Sequence, residues 1–367
     1  MRRLLAPLAA SLLAAAGMAA FATAGSDPAD RGKRTAPKYA IGLWGDLPYN
    51  ERQKTVGVPN LIADMNAQPL SFSVFDGDLK NGSSVCADSV FTDAIARFNS
   101  LLAPAVYLPG DNEWTDCHRK NNNASPPDPA LRQPYDNLER LAFLRRTMYA
   151  SPASFGQRKL KLRHQGTVAG TAYPENQRWR AGGVVYAGLH VVGSNNNRIA
   201  NLDVDESATS FRTRAQRVAD QAEFVARDAA TRAWMRGTFA EARTTNAAAV
   251  MLVMQANPIF DSPDTAVDER VQAGDDGFKA FLDDLRTETI AFGKPVVLVH
   301  GDSHYFRIDK PMEDPAGLRV ENFTRLETFG ESDADVHWVK VRVDPGNREV
   351  FSFEPQIVPA NRIVRTR

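Results

Sequence analysis

Val296-Val297-Leu298-Val299-His300-Gly301-Asp302-Ser303-His304-Tyr305 is the stretch on which the reading of the fold turns. Its first four residues are apolar and three of them are β-branched, the pattern of a strand buried on both faces. Gly301 then turns the backbone, and Asp302 and His304 follow with one residue between them. An aspartate and a histidine just past the end of a buried strand lie where open α/β sheets keep their ligand sites.

The same arrangement recurs upstream. Tyr39–Trp44 reads as a strand running into Gly45-Asp46-Leu47-Pro48-Tyr49. Ser71–Phe75 runs into Asp76-Gly77-Asp78-Leu79-Lys80-Asn81, and Ala105–Leu108 into Pro109-Gly110-Asp111-Asn112-Glu113-Trp114. Ala247–Met254 ends at Gln255-Ala256-Asn257, and Val184–Val192 at Gly193-Ser194-Asn195-Asn196-Asn197. Helical periodicity is expected near Val58–Asn66, Leu138–Tyr149, Arg212–Ala242 and Asp275–Ala291. In the third of these, Val218, Ala222, Val225 and Ala229 are taken as the apolar face, with Trp234 and Phe239 docking its second half. Trp338–Val343 and Glu349–Phe353 close the chain as a hairpin-like pair.

Composition sets the outer limits. The 367 residues, 43% hydrophobic and 24% charged, suit a globular chain with ample core. Lys+Arg and Asp+Glu balance at 44 each, which gives no electrostatic case for nucleic acid or an anionic membrane surface. Met1-Arg2-Arg3, the Ala/Leu-rich stretch to Phe21, and Ala22-Thr23-Ala24 match a signal peptide over 1–24. A flexible tail over 25–38 and one domain over 39–367 follow, and the mature form is expected to be exported, periplasmic or secreted, without a membrane anchor. In such a compartment Cys86 and Cys117 are expected to pair as an intrachain disulfide.

Asp46, Asp78, Asp111 or Asn112, Gln255 or Asn257, Asp302 and His304 gather at one sheet edge in this reading. Carboxylates so close repel one another unless a cation sits among them. Oxygen-rich ligation with one or two imidazoles suits Mn²⁺, Mg²⁺ or Fe better than Zn²⁺. One carboxylate can bridge two such ions, and ion pairs of this kind clamp phosphoryl oxygens and activate water.

The order Asp, Gly-Asp, Gly-Asx-x-Glu, a strand-end amide and Gly-x-x-His resembles the calcineurin-like metallophosphoesterases, from Trp44 to His304 and the closing strands. The resemblance implies an α/β fold, a two-sheet β sandwich flanked by helices. It implies an exported metal-dependent phosphoesterase that cleaves a small-molecule phosphate ester with metal-activated water, using two divalent ions. Asp46, Asp78, Asp111, Gln255, Asp302 and His304 would be the ligands, with Asp78 bridging. The sequence also departs from the family pattern. Pro48, Asn112, Gln255 and Asp302 stand where the family supplies histidines, which leaves His118, Glu113, Tyr49 or Asn196 to fill vacant roles. Asn112, His118 and Glu113 are the expected catalytic residues. A catalytically silent binding protein on the same fold is the alternative, and a serine hydrolase using Ser303 is a weaker third, since no Gly-x-Ser-x-Gly elbow occurs.

Overall fold

The computed structural model describes residues 36–123, 134–260 and 276–363. The expected signal peptide, and the expected tail up to residue 35, lie outside them.

Most strands form where β-branched and aromatic residues cluster. In chain order they are β1 (Tyr39–Trp44), β2 (Phe72–Phe75), β3 (Ala105–Tyr107), β4 (Arg163–Val168), β5 (Thr171–Ala181) and β6 (Val184–Gly188). Then come β7 (Ala249–Val253), β8 (Val296–His300), β9 (Arg307–Asp309), β10 (Phe323–Glu327), β11 (Trp338–Val343) and β12 (Phe351–Gln356). They make two sheets, ordered β12-β11-β1-β2-β3 and β4-β5-β6-β7-β8-β10-β9. In the first, parallel β1-β2-β3 is continued on one side by antiparallel β11 and β12; in the second, parallel β6-β7-β8-β10 is flanked on both sides by antiparallel strands.

The sheets pack face to face, and the period of two along each strand decides which side chains meet. Ile41, Leu43, Val74, Met251, Val253, Val297 and Val299 fill the layer between them. Their neighbours Val250, Leu252, Val296 and Leu298 face outward onto the helices Arg214–Thr244 and Lys279–Phe292 through Met235, Phe239 and Leu285. On the other side Trp44, Phe75 and Trp338 pack against Leu61, Met65, Phe91 and Phe98. The result is the two-sheet sandwich flanked by helices that the motif order implies. Because the central strands of each sheet run parallel, their carboxyl ends deliver Asp46, Asp78 and Asp111 from one sheet, and Gln255 and Asp302 from the other, to a common rim.

Several elements differ from expectation. The long strand expected through Val192 stops at Gly188. The strands β4 and β5 have no apolar alternation to reveal them, since Glu175, Asn176, Gln177 and Arg178 are all buried and hydrogen-bonded instead. The helix Arg214–Thr244 starts at a capping box made by Thr213 and Gln216. Its buried face is not the aliphatic one: Val218 and Val225 are exposed, the latter 57%, while Arg217, Asp220, Phe224 and Arg227 face inward. The physical reason is Arg227, whose guanidinium donates to the carbonyls of His190 and Asn196 and to Asn196 Oδ1. That set of bonds is strong enough to override a weak apolar stripe. Cys86 and Cys117 are joined as a disulfide, as expected.

Candidate metal centre

The rim residues meet because the loops are stitched by their backbones. Asp46 N donates to Gly77 O at 2.9 Å, tying the β1 loop to the β2 loop, and Gly301 N donates to Gln255 O at 3.0 Å across β7 and β8. Glu331 N donates to Asp46 O at 3.1 Å and links the two sheets.

Four of the candidate ligands hold a left-handed backbone: Asp46 (φ 51°), Asp78 (φ 63°), Asp302 (φ 77°) and His304 (φ 59°). Each such non-glycine conformation costs about 1–2 kcal/mol, and strain of this kind persists where the surroundings hold it in place for function. Glycines make the space. A side-chain carbon at Gly110 would lie 2.0 Å from Asp78 Oδ1, at Gly301 2.0 Å from Asp46 Oδ2, and at Gly193 2.7 Å from Asp302 Oδ1.

The acids fall into two groups that share Asp78. Asp46, Asp78 and His304 form one, and Asp78, Asp111 and Asp302 the other; in each, three ligand atoms lie within 4.8 Å of one another. A protein donor reaches into each group. The Tyr49 hydroxyl lies 3.2 Å from Asp46 Oδ1, 2.8 Å from Asp78 Oδ2 and 3.1 Å from His304 Nε2. Gln255 Nε2 lies 3.2 Å from Asp78 Oδ2, 3.1 Å from Asp111 Oδ1 and 3.0 Å from Asp302 Oδ1.

These donors are neutral, so they satisfy lone pairs without balancing charge. His304 supplies a cation: burial lowers its pKa, but the charge and hydrogen bond of Asp46, with Glu331, outweigh this and bring it up to about 9. One imidazolium does not neutralise four acids. Burial, and then the charges of Asp111 and Glu113, push Asp78 well above the ordinary carboxylate range. Asp46 Oδ2 is buried without a hydrogen-bond partner. An orphaned carboxylate oxygen among clustered acids is the environment that a cation relieves, so the residues present fit a metal.

The other expected residues fall in different places. Asn112 stands over Asp78, its Nδ2 donating to Asp78 Oδ2 at 2.8 Å. Gln255, expected as an oxygen ligand, is turned the other way: its Oε1 accepts from Gly193 N at 2.6 Å, so that its amide nitrogen faces the acids. Glu113 is a buried brace that accepts from Tyr107, Gly110 and Leu79; burial pushes it up to about 7, against those bonds. Asn196 is held by Arg227, away from the acids. Ser303 lies 2.9 Å from Glu327 Oε1 and accepts from Asn257, while His304 Nε2 faces Asp46, so no serine–histidine pair forms.

His118 stands apart, 2.8 Å from Ser210 Oγ through Nδ1. Burial, then the charges of Arg212 and Arg119, hold its pKa down to about 3 from the usual 6.5. As pH falls below 6.5 the unfolded chain takes up this proton first, so stability is lost from there down to about 3 and no further. The His118→Gln variant is therefore expected to lose thermal midpoint more gently than the parent over that window in calorimetry. Identical slopes would contradict the assignment.

Sequence reasoning passed over Ser194, whose Oγ lies 2.8 Å from both Asp111 Oδ2 and Asp116 Oδ1. Ser194, Asn195, Asn196 and Asn197 take four successive left-handed conformations (φ 50° to 60°). Three consecutive asparagines were the available signal, because asparagine tolerates that region better than most residues.

No family model matches the chain, and no curated protein matches it. Among solved structures it is similar to GAP50, the anchor in the inner membrane complex of Plasmodium (TM-score 0.40, 8% identity, 87% of this chain and 89% of that one). It is also similar to purple acid phosphatase PPD1 from yellow lupin (Lupinus luteus) seeds (TM-score 0.42, 12% identity, 87% of this chain). The match spans 54% of the lupin protein's length.

Proposed function

We propose that the chain is a metal-dependent phosphoesterase acting on small phosphate esters at a centre of two divalent cations. The observation that carries this reading is the pair of three-ligand groups joined through one carboxylate, Asp78. Asp46, Asp78 and His304 would hold one ion, and Asp78, Asp111 and Asp302 the other. Oxygen-dominated donor sets of this kind favour Mn²⁺, Mg²⁺ or Fe. Ions bound there would polarise a phosphoryl oxygen and lower the pKa of water.

The chain's own residues prepare the site. The two N–H groups of Gln255 are shared among Asp78, Asp111 and Asp302, and Glu331 Oε2, 3.3 Å from His304 Nδ1, orients the imidazole. Asn112 and Tyr49 put donors beside Asp78, where they would also be within reach of a bound anion. The disulfide supports an oxidising, extracytoplasmic compartment, and no helix among the described residues is long and apolar enough to cross a membrane.

One observation favours a second reading, a silent binding protein. Tyr49 and Gln255 already satisfy much of each group's hydrogen bonding. Their neutrality weighs against it, since neither offsets the clustered charge.

The test is to strip the protein with chelator, restore Mn²⁺, Mg²⁺, Fe²⁺ or Zn²⁺ in turn, count bound metal, and assay an aryl phosphate monoester and diester. Two bound ions with turnover are expected. Bound metal without turnover would select the silent reading, and neither metal nor turnover would sink both.

A further inference from the structure

The turn Ser194–Asn197 leans against the second ligand group. Gly193 leaves it room, since a side-chain carbon there would lie 2.8 Å from Asp111 Oδ2 and 2.7 Å from Asp302 Oδ1. Ser194 Oγ lies 2.8 Å from both Asp111 Oδ2 and Asp116 Oδ1, and Arg119 Nη2 donates to it at 3.0 Å. A hydroxyl has one proton to give. Arg119 Nη1 lies 2.6 Å from the other oxygen of Asp116, whereas Asp111 Oδ1 faces the neutral amide of Gln255 at 3.1 Å. The Ser194 proton is therefore drawn to Asp111, the acid that Arg119 does not already pair.

The position of this hydroxyl is set from outside the centre. Four successive left-handed residues, Ser194 to Asn197, persist only where their surroundings impose that backbone. Fully buried Arg227 imposes it: Glu223 holds its Nε, and it donates to both the carbonyl and Oδ1 of Asn196. Asn195 Oδ1 accepts from Gly277 N at 2.7 Å and secures the same turn. The strain thus holds a hydroxyl against a candidate ligand.

We propose that Ser194 is a positioning residue for the second cation, acting through Asp111. With Gln255 on Oδ1 and Ser194 on Oδ2, both oxygens of Asp111 are anchored before an ion arrives, which lowers the ordering cost of binding it. The first group is oriented by other residues, Tyr49 and Glu331. Ser194 therefore sets the affinity of one ion and not of the other. This assignment rests on the two-cation reading above.

The test is a calorimetric titration of Mn²⁺ into the chelator-treated full chain, with the thermal midpoint of the metal-free protein measured alongside. Ser194→Gly removes the hydroxyl and also relieves the positive φ, so the metal-free variant is expected to melt no lower than the parent. Of its two binding steps, the one that Asp302→Asn also weakens should lose roughly tenfold to a hundredfold in affinity. The step that Asp46→Asn weakens should keep the parent's affinity. A serine that only supports the fold would lower both steps together with the midpoint, and that result overturns the proposal. If the glycine variant does not fold, Ser194→Ala decides by the same two steps. A parent that takes up two ions, with both affinities unchanged in the Ser194 variants, defeats the role of Ser194 and leaves the two-cation centre standing. A parent that takes up fewer than two ions defeats the two-cation reading, and this assignment with it.

Discussion

Asp78→Asn is expected to lower kcat/KM of the Mn²⁺-loaded protein by on the order of 10³, equivalent to about 4 kcal/mol of lost transition-state stabilisation. Asp78 is the one carboxylate common to both ligand groups, so its loss weakens both ion sites together, whereas Asp302→Asn should weaken one. The substitution keeps the shape and the acceptor oxygen facing Tyr49, Asn112 Nδ2 and Gln255, gives up the one that accepts from Asn112 N, and removes a charge buried among other acids. The metal-free variant should therefore be no less stable than the parent. Activity, metal stoichiometry and thermal midpoint measured side by side check this. A variant that keeps both ions and turnover would remove Asp78 from its bridging role.

The largest effect on stability is expected from the disulfide. Cys86 and Cys117 close a loop of 31 residues, and the chain-entropy relation gives about 3–4 kcal/mol for a loop of that length. The paired Cys86→Ser and Cys117→Ser variant, or the reduced protein, should lose about that much unfolding free energy in denaturant titration. The loop also carries chemistry. The sulfurs lie 3.7 and 3.9 Å from the Asn112 carbonyl, and Asn112 stands over Asp78. Metal affinity should therefore fall along with stability; a loss of stability at unchanged affinity would show that the bridge braces the fold without bracing the centre.

Much of this molecule can be read from its sequence. Buried strands of β-branched residues, each followed by glycine and an acid, identify the sheets and their common rim, because apolar runs must be buried and glycine is needed where the backbone turns sharply beside a packed acid. Asp46, Asp78, Asp111, Asp302 and His304 come from four such ends and meet in space. The paired cysteines follow from two thiols in a chain read as exported.

Tertiary structure decided the rest. Gln255 reads as an oxygen ligand, yet the Gly193 amide claims its oxygen and turns its nitrogen to the acids. Glu113 reads as catalytic, yet Tyr107, Gly110 and Leu79 bind it inside the fold. His118 is near the centre in sequence and hydrogen-bonds Ser210 on a neighbouring cleft instead. The helix Arg214–Thr244 buries arginine and aspartate where its pattern suggested valine and alanine. Several deciding partners are remote in sequence, as Gly193 is from Gln255, Leu79 from Glu113 and Ser210 from His118. Local pattern fixes where the chain must be apolar and where it must turn; which atom of a polar side chain points inward is set by hydrogen-bond partners that only the folded chain brings near.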